Sequence, residues 1–325
     1  MAVILLFNFI KMKKLISIVT PFFNEESSVE FYFKNLEETL SKITDINFEI
    51  IAVEDGSSDK TYEILTKIAA QKNNLKIIKL SRNFGKEVAL TAGLDNANGD
   101  AVIPMDCDLQ DSPNVIPKMI KKWQEGYKIV LAQRTNRKDP FLKKITATFF
   151  YQLASKVMDK GLPKNVGDFR LLDKVVVQEI RKMREKNRFM RGIFSWVGYE
   201  TAIVKFERGQ RFGGKTKYNY ASLIKYALDG IFSFSTFPIR VITYFGLLIA
   251  MSSFLYGAVI ICAKIFFDKG IPGYSSIMSV VLFLGGMNFI FIGIIGEYVG
   301  RIFNEVKDRP LYIVEETNDK KFDSF

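Results

Sequence analysis

Between Lys14 and about Thr135 the chain repeats one alternation: a short, almost unbroken apolar run rich in β-branched residues, then a stretch with apolar and polar positions mixed at helical spacing. The runs LISIVTPFF, FEIIAVEDG, LKIIKLS, AVIPMD and YKIVLAQ read as strands, with helices between them. Strands that are apolar throughout are buried on both faces, so the pattern predicts an open α/β domain built on a parallel sheet with helices on each side. Ligands of such sheets bind beyond the carboxyl ends of the strands. Polar clusters fall at those ends in turn: NEE, DGSSD, SRNFGKE, DCDLQD and QRTNRKD.

The pattern changes near residue 230. Val241 to Ala263 and Ile277 to Gly296 carry no charged residue, and each is long enough to cross about 30 Å of hydrocarbon as a helix. A short Gly/Pro turn, DKGIPGYSS, joins them, which predicts a transmembrane hairpin. Arg240 precedes the first span, and Arg301, Lys307 and Arg309 follow the second, so the positive-inside rule places the α/β domain in the cytoplasm of an inner or plasma membrane. Lys264, Asp268 and Lys269 would then face outward. Two further segments, Phe141 to Lys160 and Asn219 to Phe237, mix aromatic and aliphatic positions with lysines and read as interface helices or as ordinary core helices. The expected organisation is an N-terminal extension (1–13), an α/β domain with interface helices (14–230), a membrane region (231–310) and a C-terminal tail (311–325), polar and mobile after Glu315. The opening apolar run has its positive charges after it, unlike a signal peptide. Met12 as the start, or a membrane-touching segment, are the two readings of that extension.

Composition narrows the chemistry. Lys and Arg number 46 against 35 Asp and Glu, a net charge of +11, which points to an anionic partner: nucleic acid, an anionic membrane face or a phosphorylated ligand. The membrane spans and the lack of a recognition motif argue against nucleic acid. The chain has no histidine, so a Ser-His-Asp triad, a histidine base and a histidine-ligated zinc are excluded. Its two cysteines, Cys107 and Cys262, are far apart and read as buried packing residues of a reducing compartment.

Candidate chemistry gathers in IPMDCDLQDSP, where Asp106, Asp108 and Asp111 crowd the end of an apolar run. On a strand, residues two apart point to the same side, so Asp106 and Asp108 aim together while Cys107 turns away into packing. Two such carboxylates repel unless a cation joins them, and oxygen-only ligands suit Mg²⁺ or Mn²⁺, which pair carboxylates with substrate phosphates. Asp55, at a strand end before a glycine turn, reads either as a nucleotide ligand or as a cap. Glu25, read from its position alone, is a candidate first-turn helix acid.

PFFNEE (Pro21 to Glu26), VEDGSSDKT (Val53 to Thr61), SRNFGKEVALTAGLDNANGD (Ser81 to Asp100) and MDCDLQD occur in order. In these motifs the chain resembles glycosyltransferase family 2, and within it the polyprenyl-phosphate glycosyltransferases: bactoprenol glucosyltransferases and, more distantly, dolichol-phosphate mannose synthase. The resemblance spans nearly all of Lys14 to Pro310. It implies a GT-A domain that moves a sugar, with inversion, from a nucleotide-sugar donor to polyprenyl phosphate at the membrane, with Mg²⁺ or Mn²⁺ as cofactor. Glucose from UDP-glucose and undecaprenyl phosphate are the first expectation; UDP-N-acetylglucosamine, another UDP-sugar or GDP-mannose are alternatives, and a non-catalytic membrane-tethered scaffold is the rival of another class. The resemblance implies donor binding by Pro21, Asn24, Glu25, Asp55, Gln110, Asp111 and Arg134, metal binding by Asp106 and Asp108, and a base or acceptor-orienting role for Asp168 in GDFRLLD. It implies a lipid-phosphate grip by Arg170, Arg191 and the segment RGQRFGGKTKYNY, with Arg208, Arg211, Lys215, Lys217 and Tyr218. A homo-oligomer, a tetramer among the options, is also implied. The chain departs from the family pattern at Glu54, where relatives commonly carry a shorter Asp or Asn, and it lacks the Q-x-x-R-W signature of processive polysaccharide synthases.

Overall fold

The computed structural model describes residues 13–135, 166–207, 237–267 and 273–318. These fall into two compact units, 13–135 and 166–207 with 310–318, and 237–267 with 273–309. The stretches read as interface helices lie outside the described residues.

The first unit is built on an eight-stranded sheet. The expected strands are present as β1 (Lys14–Phe22), β2 (Ile46–Glu54), β3 (Leu75–Leu80), β4 (Ala101–Pro104) and β5 (Ile129–Arg134), joined by β6 (Val166–Asp173), β7 (Thr201–Phe206) and β8 (Val314–Thr317). The order across the sheet is β7-β5-β6-β4-β1-β2-β3-β8. The helices are α1 (Val29–Leu40), α2 (Thr61–Ala69), α3 (Lys86–Asp95), α4 (Ile116–Gln124), α5 (Lys174–Lys182) and α6 (Met190–Trp196). Ile16, Ile18, Val19 and Phe22 of β1 and Ile50, Ile51, Ala52 and Val53 of β2 are all buried, as expected of central strands covered on both faces. Gly93 lets α3 lie close on β1, since a Cβ there would come within 2.2 Å of Val19 Cγ1.

Two expectations are corrected. The sheet is mixed, not parallel: β6 inserts between β4 and β5 antiparallel to both, and β8 pairs antiparallel with β3. And the described part of the tail, up to Asn318, is held in place, while residues 319–325 lie outside the described residues. Thr317 pairs with Ile78, Ile77 N donates to Asn318 Oδ1 at 2.7 Å, and Tyr312 Oη bonds Asp95 Oδ2 at 3.0 Å. The outer edge of β3 presents backbone groups that need partners, and this segment supplies them.

The strand at the crowded acids is also shorter than expected. Met105 N donates to Val19 O on β1, so by alternation the next amide inward, at residue 104, faces β6. Residue 104 is proline and has none, and pairing with β6 ends at Val102. Asp106 to Asp111 therefore lie in a turn, with Leu109 at φ 53°, and the same-side argument for Asp106 and Asp108 does not apply.

The second unit consists of α7 (Phe237–Phe267) and α8 (Tyr274–Val306). Both contain the expected spans and extend beyond them. At 1.5 Å per residue each is roughly 45 Å long, more than a bilayer's hydrocarbon core. Phe245 and Phe291 meet edge to face at 6.4 Å, while the large apolar side chains are mostly exposed, Phe254 at 83%. Surfaces of this kind need an apolar surround. Cys107 is buried as expected, but Cys262 is exposed because it lies on α7.

Candidate active site

Loops at the carboxyl ends of β1 and β2 are clasped together. Asn24, at φ 52°, donates its N–H to Ser57 Oγ at 3.0 Å, and its Oδ1 accepts from Ser58 N at 2.8 Å. Glu25 N donates to Thr61 Oγ1, and Glu25 Oε2 accepts from Ser28 Oγ. Pro21 stands in β1 opposite Val53. These donor-site candidates thus share one edge, and the contacts seen for Asn24 brace the loops.

Asp55 is 2% exposed and receives backbone N–H groups on both oxygens, Phe84 N at 2.7 Å and Gly85 N at 2.9 Å. It thereby fixes the turn that opens α3. Burial pushes its carboxyl up and these two donors oppose the shift. Gly56 is required beside it: φ is +66°, and a Cβ would sit 2.4 Å from the Arg82 carbonyl carbon. Glu54, 1% exposed, bends back so that Oε1 accepts from Ser57 N, which leaves Oε2 buried without a hydrogen-bond partner among the described residues.

The acids at the β4 end meet side-chain cations. Lys86, the first residue of α3, places Nζ 2.7 Å and 2.8 Å from the two oxygens of Asp106 and 2.8 Å from Asp168 Oδ2. Arg191 Nε reaches Asp168 Oδ1 at 3.2 Å. Asp168 arrives here because β6 runs antiparallel, which brings its first residues to the edge where β4 and β5 end. Burial alone would raise the Asp168 carboxyl, but Lys86 and Arg191 overcome it and hold the group well below the usual carboxylate range. Burial alone would lower the Lys86 ammonium, and the Asp106 and Asp168 charges carry it well above the ordinary lysine range. Glu87 accepts from Met190 N at 2.8 Å, which sets the start of α6 and with it Arg191. Asp108 Oδ1 accepts from Gln110 N at 3.1 Å.

The remaining candidates divide. Asp111, expected to face metal or sugar, is 2% exposed and forked by Arg134, whose Nη2 lies 2.9 Å and 3.0 Å from its two oxygens. Burial pushes Asp111 up and Arg134 opposes it. Arg170, expected near phosphate, is inside β6, bonded to Gly167 O at 2.5 Å and stacked on Phe194 at 4.2 Å. Arg191 does reach the cluster. Arg208, Arg211, Lys215, Lys217 and Tyr218 lie outside the described residues. Lys86 was missed as a site residue, although it sits in the SRNFGKE cluster; its signal was a lysine directly after a glycine at a strand's carboxyl end.

Paired carboxylates and cations at the open edge of an α/β sheet, with two apolar helices suited to membrane anchoring, define a membrane-associated enzyme that handles an anionic ligand. Residues 17–181 match Glycosyl transferase family 2, and residues 237–302 match the GtrB C-terminal hairpin. An uncharacterised glycosyltransferase of Synechocystis sp. is 48% identical over 302 residues, 93% of this chain and 95% of that protein. A prophage-derived bactoprenol glucosyl transferase of Shigella flexneri is 47% identical over 304 residues, 93% of this chain and 98% of that one. Among solved structures, glucosyl-3-phosphoglycerate synthase from Mycobacterium tuberculosis, in complex with Mn²⁺, UDP and glucosyl-3-phosphoglycerate, is 19% identical, covers 68% of this chain and 79% of its own, and has a TM-score of 0.45. The chain belongs to glycosyltransferase family 2 and is a glycosyltransferase, as its motifs led us to expect, built on a mixed α/β sheet.

Proposed function

We propose that the protein transfers glucose from UDP-glucose to undecaprenyl phosphate at the cytoplasmic face of the membrane. The observation that carries this is the Asp106, Lys86 and Asp168 cluster at the sheet edge, in a chain 47% identical over 93% of its length to a bactoprenol glucosyl transferase. The cytoplasmic assignment rests on Arg240, Arg301, Lys307 and Arg309 flanking the apolar helices.

The residues fit a divalent cation. Asp106 and Asp108 offer oxygen donors only, and the Lys86 ammonium spanning both Asp106 oxygens supports the reading of this carboxylate as a cation ligand. Mg²⁺ or Mn²⁺ held by Asp106 and Asp108 would supply counter-charge to the diphosphate of the departing nucleotide. Donor binding is assigned to the β1 and β2 loops, with Pro21, Asn24, Glu25, Gln110 and Arg134 around it. Asp55 and Asp111 serve that pocket by fixing its walls.

In the transfer, an acceptor phosphate oxygen attacks the anomeric carbon as the bond from that carbon to the diphosphate oxygen breaks. A phosphate monoester has its second pKa near about 6, so the attacking oxygen needs no strong base at neutral pH. Asp168, held anionic by Lys86 and Arg191, is a weak proton acceptor, which favours its orienting role: it keeps two cations facing the reacting phosphates. Arg191 and the basic segment of Arg208, Arg211, Lys215, Lys217 and Tyr218 are assigned to the lipid phosphate. Homo-oligomer formation, as in the resemblance, belongs to the same proposal.

The test incubates full-length protein in detergent with undecaprenyl phosphate, Mg²⁺ or Mn²⁺, and radiolabelled UDP-glucose, UDP-N-acetylglucosamine or GDP-mannose, and counts label in the lipid phase. Transfer from UDP-glucose is expected. Transfer from another donor alone overturns the sugar assignment, and no transfer from any supports the scaffold.

A further inference from the structure

Lys86 sits among the site acids without a role assigned to it by the motifs. Its ammonium has three short carboxylate contacts, two to Asp106 and one to Asp168. An ammonium has three N–H donors, so these contacts use its full capacity. The backbone beneath it is fixed, because Asp55 holds the amides of Phe84 and Gly85 immediately before it. The side chain is a flexible four-carbon stem on that fixed base, half-buried at its tip. A divalent cation on Asp106 must take one or both oxygens that the ammonium now spans, and two positive charges cannot share them at less than 3 Å without strong repulsion.

We propose that Lys86 is a built-in competitor for the metal position on Asp106: it neutralises the acids until nucleotide arrives, then yields Asp106 to the cation while keeping Asp168. This rests on the metal-dependent reading above. It follows that the cation enters with the nucleotide. Alone, it must displace Lys86 without compensation; with a nucleoside diphosphate it gains phosphate oxygens as ligands, and added negative charge offsets the repulsion between the two cations. Lys86 is thus a positioning residue whose function is to set the order of binding.

The test measures Mn²⁺ binding to the full-length protein in detergent by electron paramagnetic resonance, with and without UDP. Wild type is expected to bind Mn²⁺ weakly alone and much more tightly with UDP. Lys86→Gln is expected to bind Mn²⁺ without UDP roughly tenfold or more tighter than wild type, since the competing charge is gone. Lys86→Arg, which keeps the charge, should stay near wild type, and Asp106→Asn should lose the tight binding in each background. Equal or weaker binding by folded Lys86→Gln overturns the proposal and leaves the metal site standing. No Mn²⁺ binding by any protein, with or without UDP, overturns both. A second measurement needs no variant: reductive methylation of wild type followed by mass spectrometry should show Lys86 labelling rise with saturating Mn²⁺ alone, and unchanged labelling would also overturn it.

Discussion

The strand ends at β2 and at β4 both place acids at the same edge of the sheet, yet they hold them by different means. At β2 the donors are backbone amides: Phe84 and Gly85 on Asp55, Ser57 on Glu54. At β4 the principal donors are side-chain cations: Lys86 on Asp106 and Arg134 on Asp111, with Lys86 and Arg191 on Asp168. A backbone amide cannot leave without unfolding the turn that carries it, whereas a lysine stem can swing through rotamers. The β2 acids are therefore part of the scaffold, and Asp106 is exchangeable, able to trade one cation for another during a reaction cycle.

The largest effect that separates the two is on activity. Asp106→Asn is expected to lower transfer to lipid by at least about a hundredfold, the scale of removing one electrostatic contributor from an active site. Its thermal unfolding should shift little, because among the described residues the half-buried group has only Lys86 to release. Retained activity in this variant would remove Asp106 from the site. Asp55→Ala should reverse the pattern. It strips two charge-assisted hydrogen bonds, each about 1.5–3 kcal/mol, and leaves two amides without their acceptors, so a loss of about 3–6 kcal/mol in chemical unfolding is expected. A stable Asp55→Ala that has lost only nucleotide binding would place Asp55 among the ligands instead. Smaller again, Gly56→Ala forces a side chain into positive φ and against Arg82, an expected cost of about 1–3 kcal/mol from the backbone alone, measured in the same unfolding experiment.

The same contrast shows what the sequence could disclose. Strands β1 to β5 were readable because their apolar runs are continuous, and continuity signals a strand buried on both faces. Strand β6 was not, although all eight of its residues are buried, because Asp168, Arg170 and Asp173 interrupt the pattern. Those charges are tolerated inside by partners from distant parts of the chain, such as Lys86 and Arg191 on Asp168, and hydrophobicity along a segment carries no trace of them. Reading β6 as an antiparallel insertion is what brings Asp168 beside Asp106; a parallel strand would have placed it at the opposite edge. Asp111 shares its short stretch with Asp106, and the arrival of Arg134 on β5, which gives it a buried ion-pair partner, could not be read from that stretch. Segment Val314–Thr317 is too short and polar to announce a strand, and exists as one because the edge of β3 awaits it.

Asp173 combines both kinds of donor in one carboxylate and gives the finest test. It caps α5 by accepting Val175 N at 3.1 Å, and it also accepts the Trp123 indole N–H at 2.8 Å and Lys128 Nζ at 3.0 Å. Burial raises its carboxyl, but these donors, Trp123 foremost, hold it below the ordinary value. A depressed folded pKa means the stabilisation is present above the unfolded value, near about 3.9, and is lost as pH falls through the folded value. Asp173→Asn should therefore cost about 1 kcal/mol in urea unfolding at neutral pH, and the gap from wild type should narrow as the buffer is taken below about pH 4. If rigid donors govern scaffold acids, Lys128→Ala, which removes only a half-exposed ammonium screened by solvent, should cost less than about 0.5 kcal/mol. A larger loss from Lys128→Ala than from Asp173→Asn would break the distinction, because it would make the mobile cation, rather than the indole and the backbone amide, the group that fixes this carboxylate.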